Sequence, residues 1–353
     1  MRRYITYSIL STLTAFALFV ACTDNEERSM LESGNAIDFE LSCKEFSTGT
    51  RAGLYDNGDA INDKDNGGGE MWINAYYDQT TQKYINSYFE YDTNVKKWYL
   101  RSGHGWYDCY WPKNGKLNFF AYLPRQSANS AIAIGNYSYN DGPSFSCSLP
   151  LTNVGEGVNL ANMREFIYAF TKDKNSGTVP LRFVHPMSAI YFKLTQSHRD
   201  LTIHSIGFSG VYNKGTYRYA LETTEEQKDA FADGFTYELW SPDGARENLA
   251  ITVEKKVPEH LNFNAEIGGP FIVMPQAFGD DVSLFVNYTW ATEVNVTKYV
   301  ALKSVHKASE TGWQPGKKYT YNIDLGDNKE EILFKVLVEE WDAEDFKNII
   351  DIE

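Results

Sequence analysis

Apolar residues fall on alternate positions over much of this chain, the period of a strand with one buried face. Ile37, Phe39, Leu41 and Cys43 share one face of a strand over 36–43. Strand segments follow at 71–78, 84–92 and 96–102. The turn signals Asp78-Gln79 and Asp92-Thr93-Asn94 part them, as in a meander of hairpins. Pro112 and Asn114-Gly115 make a turn, after which Leu117, Phe119, Ala121 and Leu123 alternate until Pro124 stops the strand. The polar run 171–178, TKDKNSGT, is the clearest candidate linker, and a second series of strands begins near Val179 with 188–194, 201–208 and 282–288. Residues 224–232 are the one short helical-looking stretch inside this series. After it, Ile332 to Trp341 alternates again and places Ile332, Phe334, Val336 and Val338 together, with a short helix expected over 342–349. Many short alternating strands at regular spacing predict an all-β chain. Its expected parts are two tandem β-sandwich domains, 36–176 and 177–325, followed by a C-terminal strand extension, 326–353.

The pattern breaks at the start. Arg2 and Arg3 precede an uncharged, mostly apolar run from Ile9 to Ala21, the order of a secretory signal over 1–21. That run is shorter than the roughly 20 apolar residues a spanning helix takes. Phe19-Val20-Ala21-Cys22 resembles a bacterial lipobox, with Phe where Leu is usual. Cys22 would then be the lipidated first residue of the mature chain, held to the outer membrane. The acidic run Thr23-Asp24-Asn25-Glu26-Glu27 resembles the signal that exports lipoproteins of the Bacteroidetes to the cell surface. Residues 22–35 read as a flexible tether. The bland alternative is a signal that ends in an ordinary cysteine.

Composition narrows the function. Of 353 residues, 42% are hydrophobic and 15% aromatic, enough to bury real cores. Loss of Arg2 and Arg3 lowers Lys+Arg from 33 to 31 against 47 Asp+Glu, so the mature chain carries about −16. Such a surface repels phosphate backbones and excludes nucleic acid as a partner. Lipidation of Cys22 leaves Cys43, Cys109 and Cys147, an odd number, which read as buried thiols rather than a staple, although one pair could form a disulfide. No metal-ligand spacing of Cys or His occurs, and a calcium-loop frame begun at Asp63 meets Gly67 and Asn74 where ligands are needed. No nucleophile elbow, phosphate loop or zincin motif is present, and the six His are scattered, so no catalytic residues, metal or cofactor are assigned. His185, between Val184 and Pro186, reads as a buried, hydrogen-bonded histidine. Trp72, Trp98, Trp106 and Trp111 could stack on sugar rings, but their strand and turn settings favour core packing.

Five landmarks in fixed order carry a resemblance. They are Thr50-Arg51-Ala52 in an exposed loop; Trp111-Pro112 leading into Leu117-Asn118-Phe119-Phe120-Ala121-Tyr122; Leu181-x-Phe183-x-His185-x-Met187-Ser188; Pro275-Gln276 before an alternating strand; and Trp313-x-Pro315-Gly316-x-x-Tyr319-x-Tyr321. Together they cover residues 50–325, and the sequence resembles the fimbrillin-like (Mfa-type) proteins of the Bacteroidetes. The resemblance implies transthyretin-like sandwiches and a type V pilus subunit or accessory that supports adhesion. It also implies trimming by a protease after an arginine in an N-terminal loop, here between Arg51 and Ala52, with loss of the strand Ile37–Cys43. The groove so opened would take a donor strand from another fimbrial subunit, with Ile332, Phe334, Val336 and Val338 as the apolar knobs. The alternatives are an uncut anchor or tip that binds host or glycan ligands, and a surface glycan-binding lipoprotein.

Overall fold

The computed structural model describes residues 36–43, 61–62, 69–102, 105–124, 132–140, 142–149, 165–195, 201–217, 239–256, 265–290, 292–325 and 332–340. The signal, Cys22 and its tether, Arg51 and Ala52, most of the polar loop 56–70, and the helices expected at 224–232 and 342–349 lie outside them.

The first strands are β1 (Asp38–Cys43), β2 (Glu70–Tyr77), β3 (Lys83–Asp92), β4 (Lys97–Ser102), β5 (Gly105–Tyr107) and β6 (Leu117–Leu123). There follow β7 (Ile132–Ser138), β8 (Gly142–Ser148), β9 (Ile167–Lys174), β10 (Thr178–Phe183), β11 (Ser188–Leu194) and the long β12 (Leu201–Tyr217). The last are β13 (Trp240–Lys256), β14 (Ala265–Val273), β15 (Ser283–Trp290), β16 (Glu293–Ala301), β17 (Lys317–Leu325) and β18 (Ile332–Glu340), with a helical turn α1 (Leu302–Val305) before β17. The chain is all-β, as its periodicity predicts.

Among the described residues, three sheets and one strand pair result. An antiparallel sheet runs β5-β4-β3-β2-β6-β9, and β1 pairs in parallel with β10 across one of its faces. A second sheet runs β16-β15-β12-β8-β7 with β13 also on β12, and a third runs β14-β11-β17-β18. β6 shows why the first sheet needs two covers, because all seven of its residues are buried. Leu117, Phe119, Ala121 and Leu123 pack toward β1 and β10, while Phe120 and Tyr122 pack into the larger core. A strand apolar on both faces belongs to a sheet covered on both.

The layers do not divide at 176/177. Thr171–Lys174 end β9 and Thr178 opens β10, so TKDKNSGT is two strand ends joined by the short turn 175–177 and not a linker. Asp173 (φ 58°) and Gly177 (φ 74°) take left-handed backbone there. An exposed turn and a linker have the same polar composition, and only pairing tells them apart. Val179, Leu181 and Phe183 of β10 then bury in the N-terminal core. In the other direction, β8 pairs with β12 from Lys214↔Ser148 to Tyr217↔Phe145, which puts the β7–β8 hairpin in the sheet of the C-terminal half. Phe145, Tyr168, Tyr217 and Trp240 meet at this junction, with the Tyr168 and Tyr217 hydroxyls 2.9 Å apart.

Two of the landmark segments close the third sheet onto the second. The Gln276 side chain pairs like a strand neighbour with Tyr212, accepting from its N–H at 2.7 Å and donating to its carbonyl at 2.9 Å. Trp313 Nε1 donates to the Tyr321 hydroxyl at 2.9 Å, and Gly316, at φ 64°, donates its N–H to the Met187 carbonyl. His306 sits in the same cluster, Nε2 at 2.8 Å from the Tyr321 hydroxyl and Nδ1 at 2.9 Å from Glu310. Burial holds its pKa below the usual 6.5, an effect that Glu310 opposes. The unfolded chain therefore takes this proton first, and stability is lost as pH falls below 6.5 toward the depressed value. The melting temperature of the wild type is expected to drop between about pH 7.5 and about pH 5.5 more steeply than that of His306→Gln. Equal slopes in the two melting series would remove His306 from the account.

Candidate functional site

The feature with the chemistry of a binding site is the strip covered by β1. Ile37 is buried, and its N–H donates to the Cys109 carbonyl at 2.6 Å. Phe39 presents edge-on to Phe89 and Phe119, at centroid distances of 5.1 and 5.9 Å, and Leu41 packs against the same core. The side chains that anchor β1 thus fall at 37, 39 and 41, the inward positions of a period-two strand. The backbone of Cys43 ends the strand in register with Phe183.

β10 alternates in the same way: Val179, Leu181 and Phe183 are buried, and Thr178, Pro180 and Arg182 are exposed. The pairing runs from Asp38↔Thr178 to Cys43↔Phe183. Pro180 has no N–H to give to a ladder, which suits a strand that is not the interior of a large sheet. At the outer edge Asp38 pairs with Lys97 at 3.3 Å, and Lys97 also donates to Asp108 at 3.0 Å. Partial burial works against the Lys97 charge, but the hydrogen bonds and charges of Asp108 and Asp38 hold its pKa above the ordinary lysine value. Half-exposed pairs of this kind contribute little to stability. The strength of the contact is apolar: Ile37, Phe39 and Leu41 each contribute up to about 1.5–3 kcal/mol on full burial.

β1 rests through Phe39 on Phe89 and Phe119, with Val179 and Leu181 of β10 beside Phe39 and Leu41 in the same pair and Trp111 edge-on to Phe119 in the same core. The Trp111 indole N–H is buried with no hydrogen-bond partner among the described residues. The connection from β1 to β2 is tied back at Ile61, which is fully buried in this core and accepts the Gly69 N–H at 2.6 Å. Arg51 therefore lies in sequence between the strand and this attachment point.

The other expected functional strand, β18, pairs along its whole length with β17, from Lys317↔Glu340 to Leu325↔Ile332. The register puts Phe334, Val336 and Val338 opposite Ile323, Tyr321 and Tyr319, all three of which are buried. Val336 packs against the large core. The structure thus keeps the Ile37–Cys43 and Ile332–Val338 segments on different sheets, each paired with its own neighbour.

Other sequence candidates take structural places. Trp98 and Trp111 are buried in the N-terminal core, and Trp72 is half-buried with its indole N–H on the Asn74 side chain. Cys109 and Cys147 are buried, and burial pushes the Cys147 thiol up to about 12. His185 is buried against Glu165, as its flanking apolar residues predict. Among the described residues no cluster of three His, Cys, Asp or Glu side chains could hold a metal ion, and no helix is long and apolar enough to cross a membrane. Sequence reasoning did not find Trp111, Val179 and Leu181 as groove residues. Nothing in their local pattern tells a strip covered by a short strand from any other core.

Comparison with known proteins gives a consistent answer. The model of the fimbrillin-like family matches residues 50–341. The fold is similar to that of a candidate cell adhesion protein of Bacteroides uniformis, with a TM-score of 0.52 at 15% identity over 86% of this chain and 99% of that one. It is similar also to a fimbrial protein of Bacteroides vulgatus, with a TM-score of 0.50 at 15% identity over 87% of this chain and 100% of that one. No curated protein sequence matches. At such identities the structural likeness is one of fold. The family match spans most of the chain, including both the W-P turn and the closing W-x-P-G strand. On that ground the chain belongs to the fimbrillin-like family, whose members are structural proteins of the cell surface and not enzymes.

Proposed function

We propose that the chain is a fimbrial subunit, exported as a lipoprotein on Cys22 and assembled by strand addition after cleavage between Arg51 and Ala52. The observation that carries this reading is the manner in which β1 is held. It forms a six-residue parallel pair keyed into the core by alternate side chains, so its removal leaves a groove with an open ladder edge and apolar pockets. Strand addition uses these two parts: main-chain hydrogen bonds supply affinity and pockets for alternate side chains supply specificity. Attachment at Ile61 supports the same reading, because a chain cut after Arg51 keeps β2 tied to the core while β1 loses its tether. A tethered strand competes at an effective concentration in the millimolar range, and cleavage removes that advantage.

β18 has the composition of a donor. Besides Ile332, Phe334, Val336 and Val338 it carries Leu333 and Leu337 on the alternate positions, more apolar surface than an edge strand with one covered face needs. Its complete pairing with β17 also favours a second reading, an uncut anchor or tip subunit whose β18 stays in place. N-terminal sequencing of protein sheared from cells separates the two. A terminus at Ala52 is the expected result, and a lipidated Cys22 terminus in surface fibres would overturn cleavage and leave the anchor.

A further inference from the structure

We propose that the end of the first sheet where four strand connections meet is a binding face for an acidic polysaccharide, a chain of carboxylated or sulfated sugars. The connections are β2–β3, β5–β6, β7–β8 and β9–β10, and hydrogen bonds lace them together. The Asp78 N–H donates to the Lys116 carbonyl at 2.7 Å, and the Lys116 N–H returns to the Asp78 carboxylate at 2.6 Å. Asn118, with no exposed surface, donates to the Asp78 carbonyl and accepts from the Asp173 N–H at 3.0 Å. The Tyr139 hydroxyl donates to the Asp173 carboxylate at 3.2 Å. Lys172 donates to the Tyr139 carbonyl at 2.9 Å and lies 3.8 Å from the centre of its ring. Asp78 (φ 46°) and Asp173 (φ 58°) both take left-handed backbone, and the single buried amide of Asn118 holds the two. Backbone of that kind persists where the surroundings over-determine it. The loops are therefore set before any ligand arrives, and binding costs little further ordering.

Charge selects the ligand. Lys83, Lys113, Lys116, Lys172 and Lys174 stand at this end, and none makes an ion pair among the described residues. The carboxylates of Asp78 and Asp173 are already engaged by a backbone N–H and a tyrosine hydroxyl. Asp108 of the β5–β6 connection is held at the opposite end of the sheet by Lys97, and Asp141 lies outside the described residues. Five cations thus face three carboxylates at most, on a chain whose formal net charge is −14. A polyanion is drawn to this end and repelled by the rest of the surface. The exposed neighbours Gln79, Asn114, Asn140 and Asn175 carry amides, which both donate to and accept from sugar hydroxyls. The large hydrophobic side chains exposed among the described residues, Val95, Val294 and Tyr299, all lie outside these connections. The face therefore lacks the apolar wedge that enters a bilayer and the apolar anchor that centres a protein interface. The proposal stands on these connections alone and holds whether or not β1 is released.

The test measures binding of full-length chain purified from cells to polygalacturonate and dextran sulfate, beside neutral dextran and phosphatidylglycerol vesicles. The chain is expected to bind an acidic polymer and not dextran, and to bind more weakly as salt shortens the reach of exposed charges below about 10 Å. The triple variant Lys113→Gln, Lys116→Gln, Lys174→Gln is expected to lose at least about tenfold in affinity with unchanged melting. Lys214→Gln, Lys298→Gln, Lys307→Gln makes the same charge change elsewhere and is expected to lose less than about twofold. Equal losses in the two triples would overturn the site, because net charge alone would then account for binding. Dextran bound as tightly as the acidic polymers would overturn charge as its basis. Binding to the vesicles but to neither acidic polymer would replace the polysaccharide with a lipid surface, and no binding to any probe would remove the proposal.

Discussion

Arg51→Gln is expected to abolish incorporation of the chain into fibres, a loss of at least about tenfold, without changing its export or thermal melting. Arg51 lies in the connection from β1 to β2, before the attachment at Ile61, so the substitution leaves both anchored elements in place. On the proposed strand-addition reading, what it removes is the bond whose cleavage frees β1. While β1 remains tethered, an incoming strand has to displace an intramolecular competitor that buries Ile37 and keys Phe39 into Phe89 and Phe119. The tether gives that competitor an effective concentration far above any reached by free subunits. Arg51→Lys distinguishes the protease. Fibres are restored if cutting requires only a cation, and remain lost if it requires the planar guanidinium fork. The readouts are the N-terminus by mass spectrometry and the chain content of sheared fibres. Normal fibres from Arg51→Gln would exclude cleavage at this bond as the trigger.

Trp313→Ala is expected to carry the largest stability loss, about 3–5 kcal/mol, the cost of removing a fully buried large aromatic and leaving a cavity. The side chain has no exposed surface. It stands edge-on to Phe208 and Phe278, at 4.6 and 5.5 Å, and its indole N–H donates to Tyr321. Tyr321 is bonded in turn to His306, so the substitution also withdraws one member of a buried polar network. Trp313→Phe keeps most of the packing and should lose only about 1–3 kcal/mol, chiefly the donor to Tyr321. Domains are stable by about 5–15 kcal/mol, so the alanine variant is expected to be poorly populated at the surface while the phenylalanine variant is not. Urea unfolding midpoints decide the matter; a loss under about 1 kcal/mol for Trp313→Ala would mean that the third sheet is held elsewhere.

The sequence by itself determined the strands whose reasons are local. The period-two runs at 71–78, 84–92, 96–102 and 117–123 correspond to β2, β3, β4 and β6 within a residue or two at each end. Burial of His185 and of Trp98 and Trp111 was likewise legible, because flanking apolar residues and strand settings act over a few positions. Tertiary structure alone decided pairing across long separations. Residues 132–138, IAIGNYS, and the mostly small and polar 142–148, GPSFSCS, carry little strand signal; the second becomes β8 on the edge that β12 offers, and the first becomes β7 on the edge of β8. The boundary drawn at TKDKNSGT failed for the same reason: a turn and a linker are alike in composition, and the difference lies in Val179, Leu181 and Phe183 packing back onto the first sheet. The groove divides along the same line. Its knobs, Ile37, Phe39 and Leu41, follow from alternation, which is a property of one strand. Its surroundings draw Phe89, Trp111, Phe119, Val179 and Leu181 from four separate stretches of chain. Alternation says that a face is buried, but the identity of what buries it is set by non-local contacts that no window of sequence contains.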